Sequence, residues 1–129
     1  MADEKQRWLA EAEEDLKTAE VLLQQARYSA SAFHSQQTAE KALKSLLYGL
    51  HDVPWGHSVM DLLERAHQLQ PLQDLEGLGW CARVLDRHYI GARYPNAYPS
   101  GTAAAHYDER IAMEALECAR RYLQISHGQ

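Results

Sequence analysis

Side chains branched at Cβ are scarce in this chain. Its 129 residues hold four Val, three Ile and three Thr against 19 Ala and 17 Leu. Ala and Leu lose little side-chain freedom in a helix, whereas branched residues favour pleated sheets. The shortage excludes a Rossmann or barrel fold and predicts an all-α chain of one domain. No run approaches the ~18 consecutive apolar residues of a membrane span. The opening residues, Met-Ala-Asp-Glu-Lys, carry no apolar signal core, so a cytoplasmic location is expected. Only two cysteines are present, Cys81 and Cys118, inside helical patterns and without a zinc-like spacing. They are expected to be two reduced core thiols. P-loop, GxGxxG, GxSxG and HExxH motifs are all missing, so no cofactor and no metal is expected.

An excess of cations is missing too. Lys plus Arg is 13 and Asp plus Glu is 18, for a formal charge of −5, which argues against a global grip on nucleic acid. The charge is uneven: residues 1–26 hold seven acids and three bases, or −4 of that total. The rest of the chain sums to −1, which leaves room for a local basic patch.

The four prolines, Pro54, Pro71, Pro95 and Pro99, all fall between periodic segments, as residues that break helix interiors should. The first segment spans about residues 4–27, with Trp8, Ala12, Leu16, Ala19, Leu23 and Ala26 on one stripe and Glu11, Glu14 and Asp15 on a solvated face. The second runs from an N-cap at Ser29 or Ser31 to about residue 50. Its apolar stripe includes Ala32, Gln36, Ala39, Leu43 and Leu47. Ser58 and Asp61 resemble a capping box at the start of a short third helix that ends near residue 69. The fourth spans about residues 74–92, and the last about 108–126, with Ile111, Ala115, Cys118, Tyr122 and Ile125 inward. Residues 93–106 form a long loop rich in Tyr and Pro, expected to be ordered. The architecture predicted is an up-and-down antiparallel bundle of four long helices and one short one.

Function should lie in polar residues that a bundle does not need. Gln36 sits inside an apolar stripe and reads as a satisfied core amide. Gln37, Glu40, Lys41 and Lys44 form a row beside that stripe. It is either a salt-bridged face or the floor of an anion-binding groove, with both lysines projecting to one side. Arg93, extrapolated to the inward stripe of the fourth helix, lies beside Tyr94. It suits a planar anion or a stacked base, or else bonds the last carbonyls of its own helix. His57, His88 and His106 each lie near a helix terminus and could converge.

These residues resemble a known family. Gln36-Gln37-Thr38-Ala39-Glu40-Lys41-Ala42-Leu43-Lys44 is similar to a segment of HEPN domains, as are the Trp8…Ala12…Asp15-Leu16…Ala19 spacing and the stretch from Gly56 to Leu63. Leu85-Asp86…Tyr89-Ile90…Arg93-Tyr94-Pro95-Asn96-Ala97 and His106-Tyr107 resemble two further family blocks in the right order. The resemblance implies a helical bundle that forms a homodimer and acts as a nucleotide- or RNA-associated module. A minimal nucleotidyltransferase is the implied partner, in a toxin–antitoxin pair. Residue by residue it points to Lys41, Lys44, Arg93 and Tyr94, and to His57 and His106.

Many members of that family are metal-independent ribonucleases with an Arg-x4–6-His motif. Here Arg27…His34, Arg83…His88, Arg120…His127 and Arg121…His127 fit the spacing, and none has the polar residue expected after the Arg in its right place. Arg83 and His88 are the catalytic candidates, although on one helix they point about 140° apart. Three functions therefore compete: a binding module, a ribonuclease and a purely structural bundle.

Overall fold

The computed structural model describes residues 2–128. Five helices follow one another: α1 (Ala2–Gln24), α2 (Tyr28–Gly49), α3 (Val59–Leu69), α4 (Leu75–Gly91) and α5 (Glu109–His127). No strand occurs among the described residues. The bundle expected from composition is the one observed, with α3 as the short helix of 11 residues. Helix α2 is its axis and packs on each of the other four. The core is correspondingly rich in small residues and leucines, among them Ala39, Ala42, Leu43, Leu47, Leu63, Leu85, Ala115 and Tyr122. Alanine on facing stripes lets helix axes approach closely, which suits a chain with so few branched side chains.

Local chemistry sets most of the ends. Ser58 caps α3 by accepting from the Asp61 amide, as its spacing predicts. Asp74 and Asp108 cap α4 and α5 in the same way. A second device was not foreseen: Asp86 of α4 accepts from the amides of Val59 (2.7 Å) and Met60 (3.0 Å) and from the Ser58 hydroxyl (3.1 Å). A carboxylate thus sits on the positive end of α3 and ties that helix to α4. The start of α2 differs from expectation. Arg27 is its N-cap and makes no side-chain cap, while Ser31 is buried one turn inside and donates to the Ala19 carbonyl at 2.7 Å. Its hydroxyl clamps the α1–α2 hairpin instead of capping. That hairpin turns through Ala26, held at φ 59°.

The cysteines also correct the expectation. Cys81 and Cys118 form a disulfide between α4 and α5, with Cα atoms 5.3 Å apart. Each lies on an inward stripe, as periodicity predicts, but a stripe says nothing about which residue faces it. Where α4 and α5 pack side by side, the two stripes bring these positions within disulfide reach.

The loop between α4 and α5 is ordered by its aromatic residues. It contains two short 3-10 turns, Pro95–Ala97 and Ala104–His106. The Tyr98 hydroxyl donates to the Gly91 carbonyl at 2.8 Å, and the Tyr98 ring stacks on His106 with centroids 4.0 Å apart. Gly91 leaves room for this contact: a Cβ at this position would stand 3.2 Å from the Tyr98 hydroxyl oxygen, which would have to shift by a few tenths of an ångström.

Candidate functional site

The polar row of α2 is covered by α1. Lys41 Nζ lies 2.7 Å from Asp15 Oδ2 and 4.0 Å from Glu11 Oε2, both on α1. Asp15 also meets His34 Nδ1 at 3.0 Å. Burial raises the Asp15 pKa, but hydrogen bonds from His34 and Lys41, together with the charge of Lys41, outweigh that and hold the carboxyl below its usual value. Lys44 donates to Glu40 Oε2 at 3.1 Å, and its ammonium stands 5.2 Å from the Trp8 ring centroid. Glu40 and Lys44 are only 3% and 7% exposed. The groove expected above Lys41 and Lys44 is therefore filled by Trp8, Glu11 and Asp15, and Asp15 is not the solvated acid that its place on α1 suggested. The salt-bridged reading of this row describes the geometry.

The same row organises a more open site at its other edge. Gln36 is fully buried and donates from Nε2 to the His57 carbonyl at 2.8 Å, while its Oε1 accepts from Gln37 at 2.8 Å. It is the satisfied core amide expected, and it sets the path of the loop before α3. His57 is thereby held with Nδ1 3.4 Å from the Glu40 carboxylate and its ring stacked on Tyr89 at 5.0 Å between centroids. One turn beyond Tyr89 comes Arg93. It is exposed rather than inward, because α4 has ended and its side chain folds back. Arg93 Nε donates to the Tyr89 carbonyl at 2.8 Å, and its guanidinium carbon lies 4.3 Å from the Phe33 ring, 4.8 Å from Tyr89 and 5.1 Å from Tyr94. Among the described residues no carboxylate comes within ion-pair distance of it.

Of the residues singled out from sequence, His57, Arg93 and Tyr94 are thus gathered around Tyr89, and Lys44 reaches them only through Glu40. Lys41 points away, to α1. Phe33 was missed. It is the chain's single Phe and shares a helical face with Gln37, Glu40 and Lys44, a spacing that could have placed it.

The three histidines do not all converge: His88 and His106 line one hollow beside α5 while His57 lies elsewhere, and each is matched to a different tyrosine. His57 takes Tyr89, His106 takes Tyr98, and His88 Nδ1 lies 2.7 Å from the Tyr107 hydroxyl. No group of three or more metal-binding side chains is found among the described residues. Burial, helped by the nearby charge of Arg87, lowers His88 to about 4, so it is neutral at neutral pH. Burial likewise pushes the Tyr107 hydroxyl up. Arg83, the other catalytic candidate, is exposed and opens on a hollow with Met60 and Asp86, whereas His88 faces Tyr107. The three remaining Arg-x4–6-His spacings use groups already held by acids: His34 by Asp15, Arg120 by Glu20, Arg121 by Asp74 and His127 by Glu13.

Comparison with known proteins settles the family. Residues 5–128 match the HEPN domain. The chain belongs to the HEPN family. Among solved structures, TT1696 from Thermus thermophilus superposes with a TM-score of 0.87 at 38% identity, over 96% of each chain. ST0689, described as an archaeal HEPN homologue, gives 0.81 at 35% identity, over 97% of this chain and 96% of that one. A HEPN domain protein of Thermotoga maritima gives 0.75 at 27%, over 95% of each. A protein of Methanocaldococcus jannaschii named "Putative toxin MJ1304" is 28% identical, across 92% of this chain and 82% of its own length. No described helix of this HEPN protein is long and apolar enough to cross a membrane.

Proposed function

We propose that this HEPN protein is a cytoplasmic binding module for a nucleotide or RNA segment. In this reading it acts as a homodimer with a minimal nucleotidyltransferase, in a toxin–antitoxin pair. The observation that carries the proposal is the Arg93 guanidinium, held against Phe33, Tyr89 and Tyr94 and paired with no carboxylate among the described residues. A guanidinium fixed on rings is oriented in advance and stays available to a phosphate or a base, at low entropic cost on binding. His57, stacked on Tyr89 and exposed, extends the same surface. The toxin name of the archaeal relative supports the paired role. Lys41 and Lys44 enter this reading as supports. Lys44 holds Glu40, which faces His57, and Lys41 fastens α1 to α2.

The ribonuclease reading gains nothing from the geometry of a single chain, since Arg83 and His88 open on different hollows. Titrating mononucleotides, short single-stranded RNA and a co-expressed nucleotidyltransferase against the wild type and Arg93→Ala tests the proposal. The variant is expected to lose about tenfold in affinity for at least one of them, the scale of one charge-assisted contact. Equal binding by both proteins to all three would reject the proposal.

A further inference from the structure

The Cys81–Cys118 bridge forms part of the wall of a hollow of about 430 Å³ on the α4–α5 flank, apart from the Arg93 surface. Trp80 and Met113, both exposed, line it, and Glu114, Glu117 and Arg121 supply its charges. The cysteines are only 1% and 2% exposed, so the bridge is sheltered inside the hollow rather than displayed on the surface. Arg121 Nη1 lies 3.9 Å from Cys81 Sγ, while its Nη2 is held by Asp74. A guanidinium so placed favours a thiolate on Cys81. Glu117 immediately precedes Cys118 and lines the same hollow, so its charge opposes a second anion on Cys118. Neither Glu114 nor Glu117 makes an ion pair among the described residues, and Arg121 is shared with Asp74, which leaves the hollow acidic. For the proposed cytoplasmic location a disulfide is uncommon, and those found in that compartment are usually catalytic or redox-sensing.

We infer that this hollow is a thiol–disulfide exchange site, in which a dithiol reductant carrying little negative charge attacks Cys118 Sγ and displaces Cys81 Sγ. The attacking thiolate forms a mixed disulfide with Cys118 as the Sγ–Sγ bond breaks, and Cys81 leaves as a thiolate beside Arg121. The second thiol of the reductant loses its proton, attacks the reductant's own sulfur in the mixed disulfide and releases Cys118 as a thiolate. Both cysteines then take up protons. The bridge has gained two electrons, and the reductant departs as a cyclic disulfide. A disulfide oxidant such as glutathione disulfide runs the sequence backwards. Helices α4 and α5 both pack on α2, so they stay in the bundle when the bridge is open. Exchange therefore sets how firmly the two helices are joined without taking the bundle apart.

The test times reduction of the bridge in the folded protein, with alkylation of the freed thiols and mass spectrometry as the readout. With dithiothreitol the rate is expected to rise with reductant concentration and to ignore urea below the unfolding transition. A rate independent of reductant, or one that climbs with urea as steeply as global unfolding, would overturn the inference, because the bridge would then be met only in an opened bundle. Cysteamine is expected to react at least about fivefold faster than 2-mercaptoethanesulfonate after correction for thiolate fraction, and equal rates would refute the acidic hollow. After an acid quench the cysteamine adduct is expected on Cys118; an adduct on Cys81 would reverse the direction of attack and refute the assignment. Arg121→Gln is expected to slow reduction about fivefold and Arg121→Lys to recover most of the rate. Asp74→Asn removes the same ion pair but keeps the guanidinium, so it should not slow the reaction; equal slowing by Asp74→Asn would refute the role of Arg121. The reduced protein is expected to keep its helical circular dichroism with a lower melting temperature, restored by glutathione disulfide. Loss of helicity on reduction would show that the bridge is not a reversible setting.

Discussion

The two flanks of the bundle handle charge in opposite ways. On the α1–α2 flank, Lys41, Lys44, His34, Asp15 and Glu40 form ion pairs or hydrogen bonds with one another. On the α4–α5 flank the interior is joined by a disulfide and by neutral contacts, His88 with Tyr107 and Tyr122 with the Leu78 carbonyl, and the ion pair between Arg121 of α5 and Asp74 at the start of α4 lies at the exposed edge. There Arg83, Arg87 and Arg110 carry no ion pair among the described residues. A cation that holds the fold together is not free to hold a ligand. The comparison teaches that basic residues beside a core stripe need not be the accessible ones.

The disulfide should show the contrast most strongly. It closes a loop across 37 positions, so Cys81→Ser/Cys118→Ser is expected to lower stability by about 3–4 kcal/mol, read by chemical denaturation under oxidising conditions. A loss under about 1 kcal/mol would mean that the α4–α5 flank is not held covalently. On the opposite flank, Lys44→Ala leaves Glu40 buried without its main partner. That should cost about 3 kcal/mol, while Glu40→Leu/Lys44→Met recovers most of it. If the single and double variants are equally unstable, the pair is not coupled.

His88 gives a comparable effect in pH. Its pKa is about 4 in the folded state and 6.5 as the ordinary value, so the unfolded chain binds the extra proton first. This contribution is whole above pH 6.5 and is lost as pH falls towards 4, at most about 3 kcal/mol. Asp15 acts lower: its carboxyl is held below 3.8, so its contribution persists above that pH and fades as acid protonates the folded group. Stability curves of the wild type and His88→Phe should converge as pH falls from 6.5 to 4, and parallel curves would contradict the burial of His88. Asp86→Ala, which strips two amides and a hydroxyl of their acceptor at the start of α3, should cost about 2 kcal/mol. Smallest of all, Arg110→Ala should stay within about 0.5 kcal/mol of wild type. A larger loss would show that the α4–α5 cations are structural after all.

Helix number, order and type are legible from periodicity and proline placement, because an amphipathic stripe is a local property. The Ser58, Asp74 and Asp108 caps are local in the same sense. What escapes are partners brought from afar. Cys81 and Cys118 each show a correct stripe but not each other. Lys41 looks free in the sequence because the acids that hold it lie on another helix, whereas the pairing of Lys44 with Glu40, one turn away, is one of the two readings that the row allows. Arg93 extrapolates along a helix that stops before it. At the site, His57 and Arg93 both lie against Tyr89 and Tyr94 lies against Arg93, whereas Phe33 has no polar chemistry to mark it.

Gln36 grips the backbone of residue 57, not its imidazole. Whatever side chain stands at that position, the carbonyl it offers is the same, and the strap before α3 keeps its course while Asp86 anchors the amides of Val59 and Met60. Position 57 is therefore a socket. Its side chain can be exchanged by mutation without rebuilding the wall it is mounted on.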